Sequence, residues 1–344
     1  MADSSVIKIA GRDIGAGHPC FVIAEIGINH EGSADQCARM IEAAAHAGAD
    51  SVKLQIIDAK ENYAPGTESY ALFSGAWLEP SAVAELFVLA RRLGVEPFAT
   101  VGDAATLAWV NKLNPAAHKI SSGLLTHHPM IAAAARTGKP LIISTGMSET
   151  SEIDAALVVA SKAGANGVSL LHCTSIYPAP LNGLHLAAIP ALSKRTGLPV
   201  GFSDHSLGEE AAPLSVAFGA VIVEKHFTLD TKRPSYDHGI SLDPAGFSRM
   251  AAAIRRVEDM RGAASKPLTE AERLAGHRNH RFLAARRDIA AGSILREEDI
   301  GFFRMPPDLP RGFKPSEIEK IIGRQTRRSL SAYTPLLSQD LVED

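Results

Sequence analysis

The sequence has few cysteines, little net charge and no long hydrophobic run. Its 344 residues include three cysteines and carry a formal net charge of −3. Three widely spaced cysteines do not form a disulfide framework, and so small a charge gives no strong field for nucleic acid or an anionic membrane. No apolar run approaches the roughly 18 residues of a membrane span, and MADSSVIKIAG does not read as a signal peptide. The composition therefore predicts a cytoplasmic globular protein without nucleic-acid or membrane partners.

Several common motifs for nucleotides and metals are also missing. The first predicted strand is not followed by G-x-G-x-x-G, and there is no P-loop, so neither of these nucleotide-phosphate loops is available. There is no H-E-x-x-H pair and no cysteine-rich ligand set, which excludes the usual hydrolytic and structural zinc sites. Any phosphate or metal chemistry must therefore come from side chains that the fold brings together.

What the sequence does contain is a regular alternation of short β-branched runs and amphipathic stretches rich in alanine and leucine. The strand candidates are Phe21–Asn29, Ser51–Ile57, Pro97–Val101, His118–Ser122, Leu141–Thr145, Val168–Cys173, Val200–His205 and Val221–Phe227. Several are apolar on both faces, as buried parallel strands are. Eight such units in about 240 residues match an α/β protein of the (β/α)8 TIM-barrel type. A doubly wound open sheet, which usually has about five to seven strands, is the less favoured alternative.

The composition changes after Arg261. Residues 262–280 mix proline, glycine and charge without an apolar face, and this predicts a linker. Residues 281–344 hold two short strand candidates and a proline-rich turn, which predict a small β-rich domain following a barrel domain over 1–261. So small a domain buries little core alone, so we expect it to lean on another part of the assembly. We also expect residues 6–17 to form a hairpin that closes the bottom of the barrel.

Two lysines stand inside otherwise apolar strand candidates. An unpaired ammonium is costly at Lys53 or Lys119. Each lysine either pairs with a carboxylate of the barrel or, with the hydroxyls of Ser122 and Ser144, binds a phosphate or carboxylate ligand. Chemistry in such barrels sits at the carboxyl ends of the strands, where these residues lie. Two lysines on nearby strands favour the anion site.

Two histidines end adjacent strand candidates. Adjacent parallel strands lie about 4.8 Å apart, so His205 and His226 could share one divalent metal. The alternative is a pair of buried histidines with ordinary hydrogen-bond partners. Glu25 and Glu224 face the same space, where a carboxylate could move protons or form a salt bridge to a lysine. The two roles of the glutamates are compatible.

These residues fall in motifs that cover nearly the whole chain. The motifs are AEIGINHEG at 24–32, KLQ at 53–55, KISSG at 119–123, STGM at 144–147, LLHCTSIYPAP at 170–180, GFSDHSLG at 201–208, EKHFTLD at 224–230 and RPSYDHGISLDP at 233–244. In them the chain resembles the sialic acid (N-acetylneuraminate) synthases, which include legionaminate and pseudaminate synthases. Residues 281–344 resemble the family's C-terminal antifreeze-like (SAF) domain.

The resemblance implies a transferase that condenses phosphoenolpyruvate with an open-chain N-acylated amino sugar. The products are a nine-carbon 3-deoxy-2-keto sugar acid and phosphate, and the usual destination is a surface polysaccharide. The family also implies a divalent metal, Mn²⁺ or in its place Mg²⁺, and a domain-swapped homodimer in which one subunit's SAF domain caps the other's site. Two other classes remain open: a metal-dependent aldolase on a similar barrel, and a non-catalytic sugar-acid binding protein.

The resemblance also assigns residues. The residues that it implies for catalysis, including both metal ligands His205 and His226, are Glu25, Lys53, Lys119, His205 and His226. Glu25 is expected near the reacting carbons, and Arg304 is expected to reach the acyl group from the partner chain. The remaining substrate contacts that it implies are Gln55, Thr100, Ser122, Ser144 and Ser203 around phosphoenolpyruvate and Tyr177, Glu224 and Asp237 around the sugar.

One position departs from the family pattern. The sialic acid synthases have a glutamate that contacts the acceptor sugar directly after the K-I-x-S-G motif, and this chain has Leu124 there. A leucine cannot accept a hydrogen bond from a hydroxyl group. We therefore expect an acceptor other than N-acetylmannosamine itself, with an apolar or modified group at that point.

Overall fold

The protein divides into two compact units, Met1–Gly262 and Ala263–Asp344. The computed structural model describes residues 6–234, 236–262 and 265–342. Some predicted segments lie partly outside the described residues. These parts are residues 1–5 of the barrel domain, Ser235 of the RPSYDHGISLDP motif, residues 263–264 of the linker and residues 343–344 of the small domain.

Eight parallel strands of the first unit form a closed barrel. They are β3 (Phe21–Gly27), β4 (Ser51–Ile56), β5 (Glu96–Val101), β6 (His118–Ile120), β7 (Leu141–Ser144), β8 (Val168–Cys173), β9 (Val200–Asp204) and β10 (Ile222–His226). Each strand pairs with its neighbours in chain order, and β10 closes the barrel on β3. The (β/α)8 prediction is therefore confirmed, because an open doubly wound sheet has no such closing pair.

Helices follow the strands, as the alternation of strand candidates and amphipathic stretches predicts. They are α1 (Ala34–His46), α2 (Ala59–Asn62), α3 (Glu68–Gly75), α4 (Pro80–Arg92), α5 (Ala104–Lys112), α6 (His128–Ala135), α7 (Thr150–Lys162), α8 (Ala188–Thr196), α9 (Ala211–Ala217) and α10 (Pro244–Arg261). The sequence did not predict α2 and α3, which are short and leave at most one residue fully buried. No single helix in the described chain is long and apolar enough to cross a membrane, although the bent pair α3–α4 reaches that length and composition.

A hairpin precedes the barrel, as predicted. Strands β1 (Ile7–Ile9) and β2 (Arg12–Ile14) pair antiparallel. Their three isoleucines are buried in one hydrophobic cluster with inward-facing barrel residues that include Phe21 and Phe98. The hairpin therefore closes the amino-terminal end of the barrel.

The inside of the barrel has an apolar lower layer and a polar upper layer. Side chains of a strand alternate between its two faces, so Ile23 and Glu25 of β3 both point inward, as do Phe98 and Thr100 of β5. The lower members belong to the cluster under the hairpin, and the upper members line a cavity. The same alternation sends intervening residues such as Ala24 outward, into the core between strands and helices.

The second unit contains one helix and a small β-rich body. Helix α11 (Glu270–Asn279) begins at a capping box between Thr269 and Glu272 and buries none of its residues. The sequence predicted a linker for this segment. It did not predict the helix, because a helix that is polar all round shows no apolar periodicity. Strands β11 (Phe282–Ala285) and β12 (Ile300–Phe303) pair antiparallel.

The rest of the small domain is held by isolated bridges rather than long strands. Ile289 pairs with Leu330, and Ile294 pairs with Gln325. Nine buried hydrophobic side chains form its core. The prediction of a barrel followed by a small β-rich domain is confirmed.

We predict that Gly201→Ala destabilises the barrel strongly. A Cβ at this position would meet the Ile222 carbonyl oxygen of the neighbouring strand and would lie 2.6 Å from Leu171 Cδ2. Because backbone cannot move aside as a flexible side chain can, we expect a loss of about 3 kcal/mol, the upper end for overpacking. Urea unfolding measures the free energy, with Gly239→Ala as the control, since nothing lies within 4 Å of a Cβ there. Equal stability of the two variants would contradict the prediction.

Candidate active site

A cavity of about 250 Å³ opens at the carboxyl ends of the barrel strands. Twelve of the fourteen site residues predicted from the sequence line it. They are Glu25, Lys53, Gln55, Thr100, Lys119, Ser122, Ser144, Tyr177, Ser203, His205, Glu224 and His226. Their convergence follows from the parallel barrel, which places all eight strand ends at one mouth.

Two lysines and two glutamates form a buried charge cluster at the floor of the cavity. Lys53 Nζ forms ion pairs with Glu25 and with Glu224, the latter at 2.7 Å. Lys119 Nζ lies 3.7 Å from the other oxygen of Glu224. Register explains the first pair, since Glu25 and Lys53 are partners across β3 and β4. The lysines are therefore paired with barrel carboxylates, and the same ammonium groups face the cavity where an anion would bind.

The cluster shifts the pKa values of its members. Burial raises the pKa of Glu224, but the charges of Lys119 and Lys53 outweigh this and lower it to about 2. Burial lowers the pKa of Lys53, and Lys119 lowers it further, against the pull of Glu224. Glu224 is thus the firmly ionised member of the cluster. Glu25 is less fully partnered, because its Oε1 is buried and accepts no hydrogen bond from a described group.

Hydroxyl groups surround the lysines. Lys119 Nζ donates to Ser144 Oγ at 2.6 Å, and Ser203 Oγ donates to Glu224 Oε1 at 2.9 Å. Ser122 Oγ accepts a hydrogen bond from the Gly146 backbone N–H at 3.1 Å. A Cβ on Gly146 would lie only 2.8 Å from Ser122 Oγ, so only glycine lets the backbone come this close. This wall offers ammonium and hydroxyl donors, groups that bind phosphate and carboxylate.

The two histidines stand together on the opposite side of the cavity. The centres of the His205 and His226 rings are 5.5 Å apart. His205 Nδ1 lies 3.0 Å from the Thr174 carbonyl oxygen, to which only a protonated nitrogen can donate. The Nε2 of that tautomer is an acceptor, and Tyr177 Oη lies 3.1 Å from it. His226 Nδ1 is buried without a hydrogen bond and lies 3.5 Å from Asp237 Oδ2.

These donors fit a divalent metal. Burial lowers the pKa of His226 well below its usual range, so its ring is neutral, which is the form that binds metals. An orphaned buried ring nitrogen and a nearby carboxylate are groups that a cation would satisfy. The described residues contain no set of three or more His, Cys, Asp or Glu side chains already arranged as ligands. Water or substrate oxygens would therefore complete the coordination.

Three predicted positions lie apart from the cavity lining. Asp237 belongs to the connection between β10 and α10 and reaches the site only through its contact with His226. Arg304 follows β12 in the second unit and is exposed. Leu124 is half-buried against the hydrophobic core of the first unit, while its neighbour Gly123 lines the cavity. At this position the cavity wall is therefore formed by glycine.

Sequence reasoning missed several residues that line the cavity. Tyr63 and Phe73 come from the α2–α3 segment and stack with ring centres 5.2 Å apart. Cys173 Sγ lies 3.6 Å from His205 Nδ1, and although burial raises the pKa of this thiol, the interaction with His205 lowers it to about 7. The N-cap residues Asp58 and Thr67 were the available signals for the two short helices.

Comparison with known proteins agrees with this geometry. The NeuB family matches residues 40–266, and the SAF domain matches residues 280–342. The chain is 34% identical to the N,N'-diacetyllegionaminic acid synthase of Legionella pneumophila, covering 96% of this chain and 97% of that protein. It is 30% identical to the human N-acetylneuraminate-9-phosphate synthase, covering 92% and 90%.

A solved structure gives the same result in three dimensions. The N-acetylneuraminic acid (sialic acid) synthetase of Leptospira borgpetersenii, determined in complex with citrate, superposes with a TM-score of 0.76. It is 31% identical, and the match covers 79% of this chain and 95% of that one. The chain therefore belongs to the NeuB family of sugar-acid synthases and carries a C-terminal SAF domain.

Proposed function

We propose that the protein condenses phosphoenolpyruvate with an open-chain N-acylated amino sugar, giving a nine-carbon 3-deoxy-2-keto sugar acid and phosphate. The observation that carries the proposal is the buried lysine pair beside hydroxyl donors, in one cavity with two imidazoles. Phosphoenolpyruvate is a trianion and suits the lysines, whereas the sugar presents an aldehyde and suits the imidazole side of the cavity. Relatives named as legionaminic, pseudaminic and N-acetylneuraminate-9-phosphate synthases support the same substrate classes.

In this proposal the lysine wall binds phosphoenolpyruvate. Lys119 and Ser144 bind its anionic groups together with Ser122, whose hydroxyl is held by the Gly146 N–H. Lys53 stays ion-paired with Glu25 and Glu224 and so balances part of the negative charge of these two carboxylates. Gln55 and Thr100 line the same part of the cavity. Because the lysines are buried, their attraction for an anion is screened much less than it would be in water.

The reaction then needs one carbon–carbon bond, one water and one leaving phosphate. The methylene carbon of phosphoenolpyruvate attacks the aldehyde carbon of the sugar, and water adds to the enol carbon that becomes positive. Glu25, whose Oε1 is unpartnered, accepts the proton of that water. Collapse of the adduct breaks the C–O bond to phosphate and leaves the 2-keto group. The proton taken by Glu25 passes to the former aldehyde oxygen, which becomes a hydroxyl group, and the second proton of the water leaves with the phosphate, whose charge the lysines stabilise.

His205 and His226 would hold Mn²⁺, or Mg²⁺ in its place. When bound, the metal supplies Lewis-acid polarisation of the aldehyde oxygen. Tyr177 stacks on His205 with ring centres 4.2 Å apart and forms the sugar side of the wall. Asp237 and Glu224 lie on the same side. Leu124 brings no carboxylate to the cavity, and the small residue Gly123 lines the wall beside it. This favours an acceptor whose carbon at that point is deoxy or N-acylated.

We predict that the purified protein releases inorganic phosphate from phosphoenolpyruvate only when an acceptor aldose is present. Lys119→Met should lower kcat/KM for phosphoenolpyruvate by about 10²- to 10³-fold, the usual effect of losing a buried electrostatic donor. A coupled phosphate assay with a panel of N-acylated and deoxy amino sugars measures both. An exposed lysine on α7, changed in Lys162→Met, is the control and should retain wild-type kinetics.

The same assay separates the two other function classes. A metal-dependent aldolase would use its metal without releasing phosphate from phosphoenolpyruvate, and a sugar-acid binding protein would turn nothing over. Aldol activity with pyruvate but no phosphate release from any acceptor would refute the synthase proposal.

We predict that His226→Ala abolishes tight Mn²⁺ binding while His172→Ala does not. His172 lies on β8, two strands from β10, and faces outward, where its Nε2 contacts the Leu184 carbonyl oxygen at 2.7 Å. The two substitutions remove the same side chain from opposite faces of the barrel wall. Titration of Mn²⁺ by electron paramagnetic resonance gives the stoichiometry. Wild-type stoichiometry in both His205→Ala and His226→Ala would show that the metal binds elsewhere.

We further propose that the site is completed in trans in a domain-swapped homodimer, with Arg304 supplied by the partner subunit. Arg304→Ala and His226→Ala chains, each inactive alone, should then regain activity when subunits are exchanged. Mixed dimers contain one intact site, so random exchange restores at most about a quarter of wild-type activity. Arg296, an exposed arginine of the same unit, serves as the control in Arg296→Ala, which should be active alone. Exchanged chains that stay inactive would refute the arrangement.

A further inference from the structure

The chain leaves the barrel after His226 and returns to the same place at Leu242. Thr228 N donates to the Leu242 carbonyl oxygen at 3.0 Å, and Leu242 N donates to the His226 carbonyl oxygen at 2.9 Å. Residues 227–242 are therefore a loop with a closed neck, which we call the 227–242 loop. Asp237 lies within this loop, and its contact with His226 depends on how the loop folds back.

One buried side chain from another connection holds this loop at three points. Asn29, which follows β3 and is fully buried, accepts a hydrogen bond at Oδ1 from Asp237 N at 3.0 Å. Its Nδ2 donates to the Phe227 carbonyl oxygen and to Ser241 Oγ, both at 3.0 Å. Ser241 Oγ in turn donates to the Asp237 carbonyl oxygen at 2.6 Å. Asn29 thus contacts the beginning, the middle and the end of the loop.

A second tie runs from the same connection. The Glu31 carboxylate accepts from His238 Nε2 at 2.8 Å and from Arg233 at 2.6 Å. Arg233 also donates to Gln36 of α1 at 3.0 Å. Glu31 therefore anchors both flanks of Asp237 but touches Asp237 itself through no hydrogen bond. Asn29 accepts directly from the Asp237 backbone N–H, and Ser241, which Asn29 holds, donates to the Asp237 carbonyl oxygen.

We infer that Asn29 is a positioning residue that fixes the Asp237 carboxylate beside His226. The functional consequence rests on the proposed function. A carboxylate beside a histidine ring fixes the orientation of that ring. Asn29 touches none of the cavity itself, since it is fully buried and absent from the cavity wall. Its effect on the reaction passes through Asp237 and His226.

The test compares Asn29→Ala with a matched asparagine far from the site. Asn111 on α5 makes a similar bond, in which its Oδ1 accepts from His118 Nε2 at 3.2 Å, on the outer face of the barrel wall. Crystal structures and steady-state kinetics are determined for wild type, Asn29→Ala and Asn111→Ala. In Asn29→Ala we expect the Asp237 carboxylate to leave His226 by more than 1 Å. We expect kcat/KM for the acceptor to fall about 10- to 100-fold, with KM for phosphoenolpyruvate within about twofold of wild type.

Each outcome decides the inference. Asn111→Ala should lower thermal stability without moving Asp237 or the acceptor kinetics. An Asn29→Ala structure with Asp237 still beside His226, or equal losses for both substrates, would overturn the inference. If Asn29→Ala does not fold, Ser241→Ala removes two bonds of the set, one from Asn29 and one to the Asp237 carbonyl oxygen, but leaves the bond from Asp237 N to Asn29. It should give a smaller displacement with the same kinetic selectivity, while an unmoved Asp237 refutes the inference. Failure of wild type to release phosphate would count against the proposed function alone, since the crystallographic comparison does not use the reaction.

Discussion

A charged lysine is stable inside a barrel only with an anion beside it, and this constraint organises the centre of the protein. Lys53 and Lys119 are buried, and Glu25 and Glu224 match their two charges. Removing one member of such a cluster leaves an uncompensated buried charge, which costs more than the pair contributes. In the proposed reaction an entering trianion would take over part of this pairing, so the cluster that balances the buried charges would also be the one that receives the ligand.

The fold could be predicted because the strand pattern is local and repeated. Parallel strands buried on both faces are short apolar runs, and eight of them separated by amphipathic helices leave few architectures. The structure shortens several of these strands by one or two residues, as at β6, which ends at Ile120 rather than Ser122. Helices α3 and α11 were not predicted, because a helix with no buried residue leaves no apolar face in the sequence. Their capping residues are the only local signal.

The site was predictable wherever a residue follows from its place on a strand. Alternation along β10 puts Glu224 and His226 inside the barrel and Lys225 outside, paired with Asp204. Contacts made by the loops between strands and helices could not be predicted from this alternation. Tyr63 reaches the cavity through a segment that the pattern did not show as structured. Asn29 is visible at the end of a strand candidate, but its bonds to the 227–242 loop depend on where that loop turns back.

The hairpin under the barrel limits the route by which a ligand can enter and leave the cavity. Its isoleucines and the apolar lower layer close the amino-terminal end, so ligands use the mouth at the opposite end. The lysines lie at the floor of the cavity with about 2% of their surface exposed, whereas Tyr177 above them is 51% exposed. A molecule seated on Tyr177 blocks the path of one seated on the lysines. In the proposed reaction occupancy would therefore be stacked: the deeper anion would have to arrive first, and the phosphate formed there would leave only after the space above it is vacated.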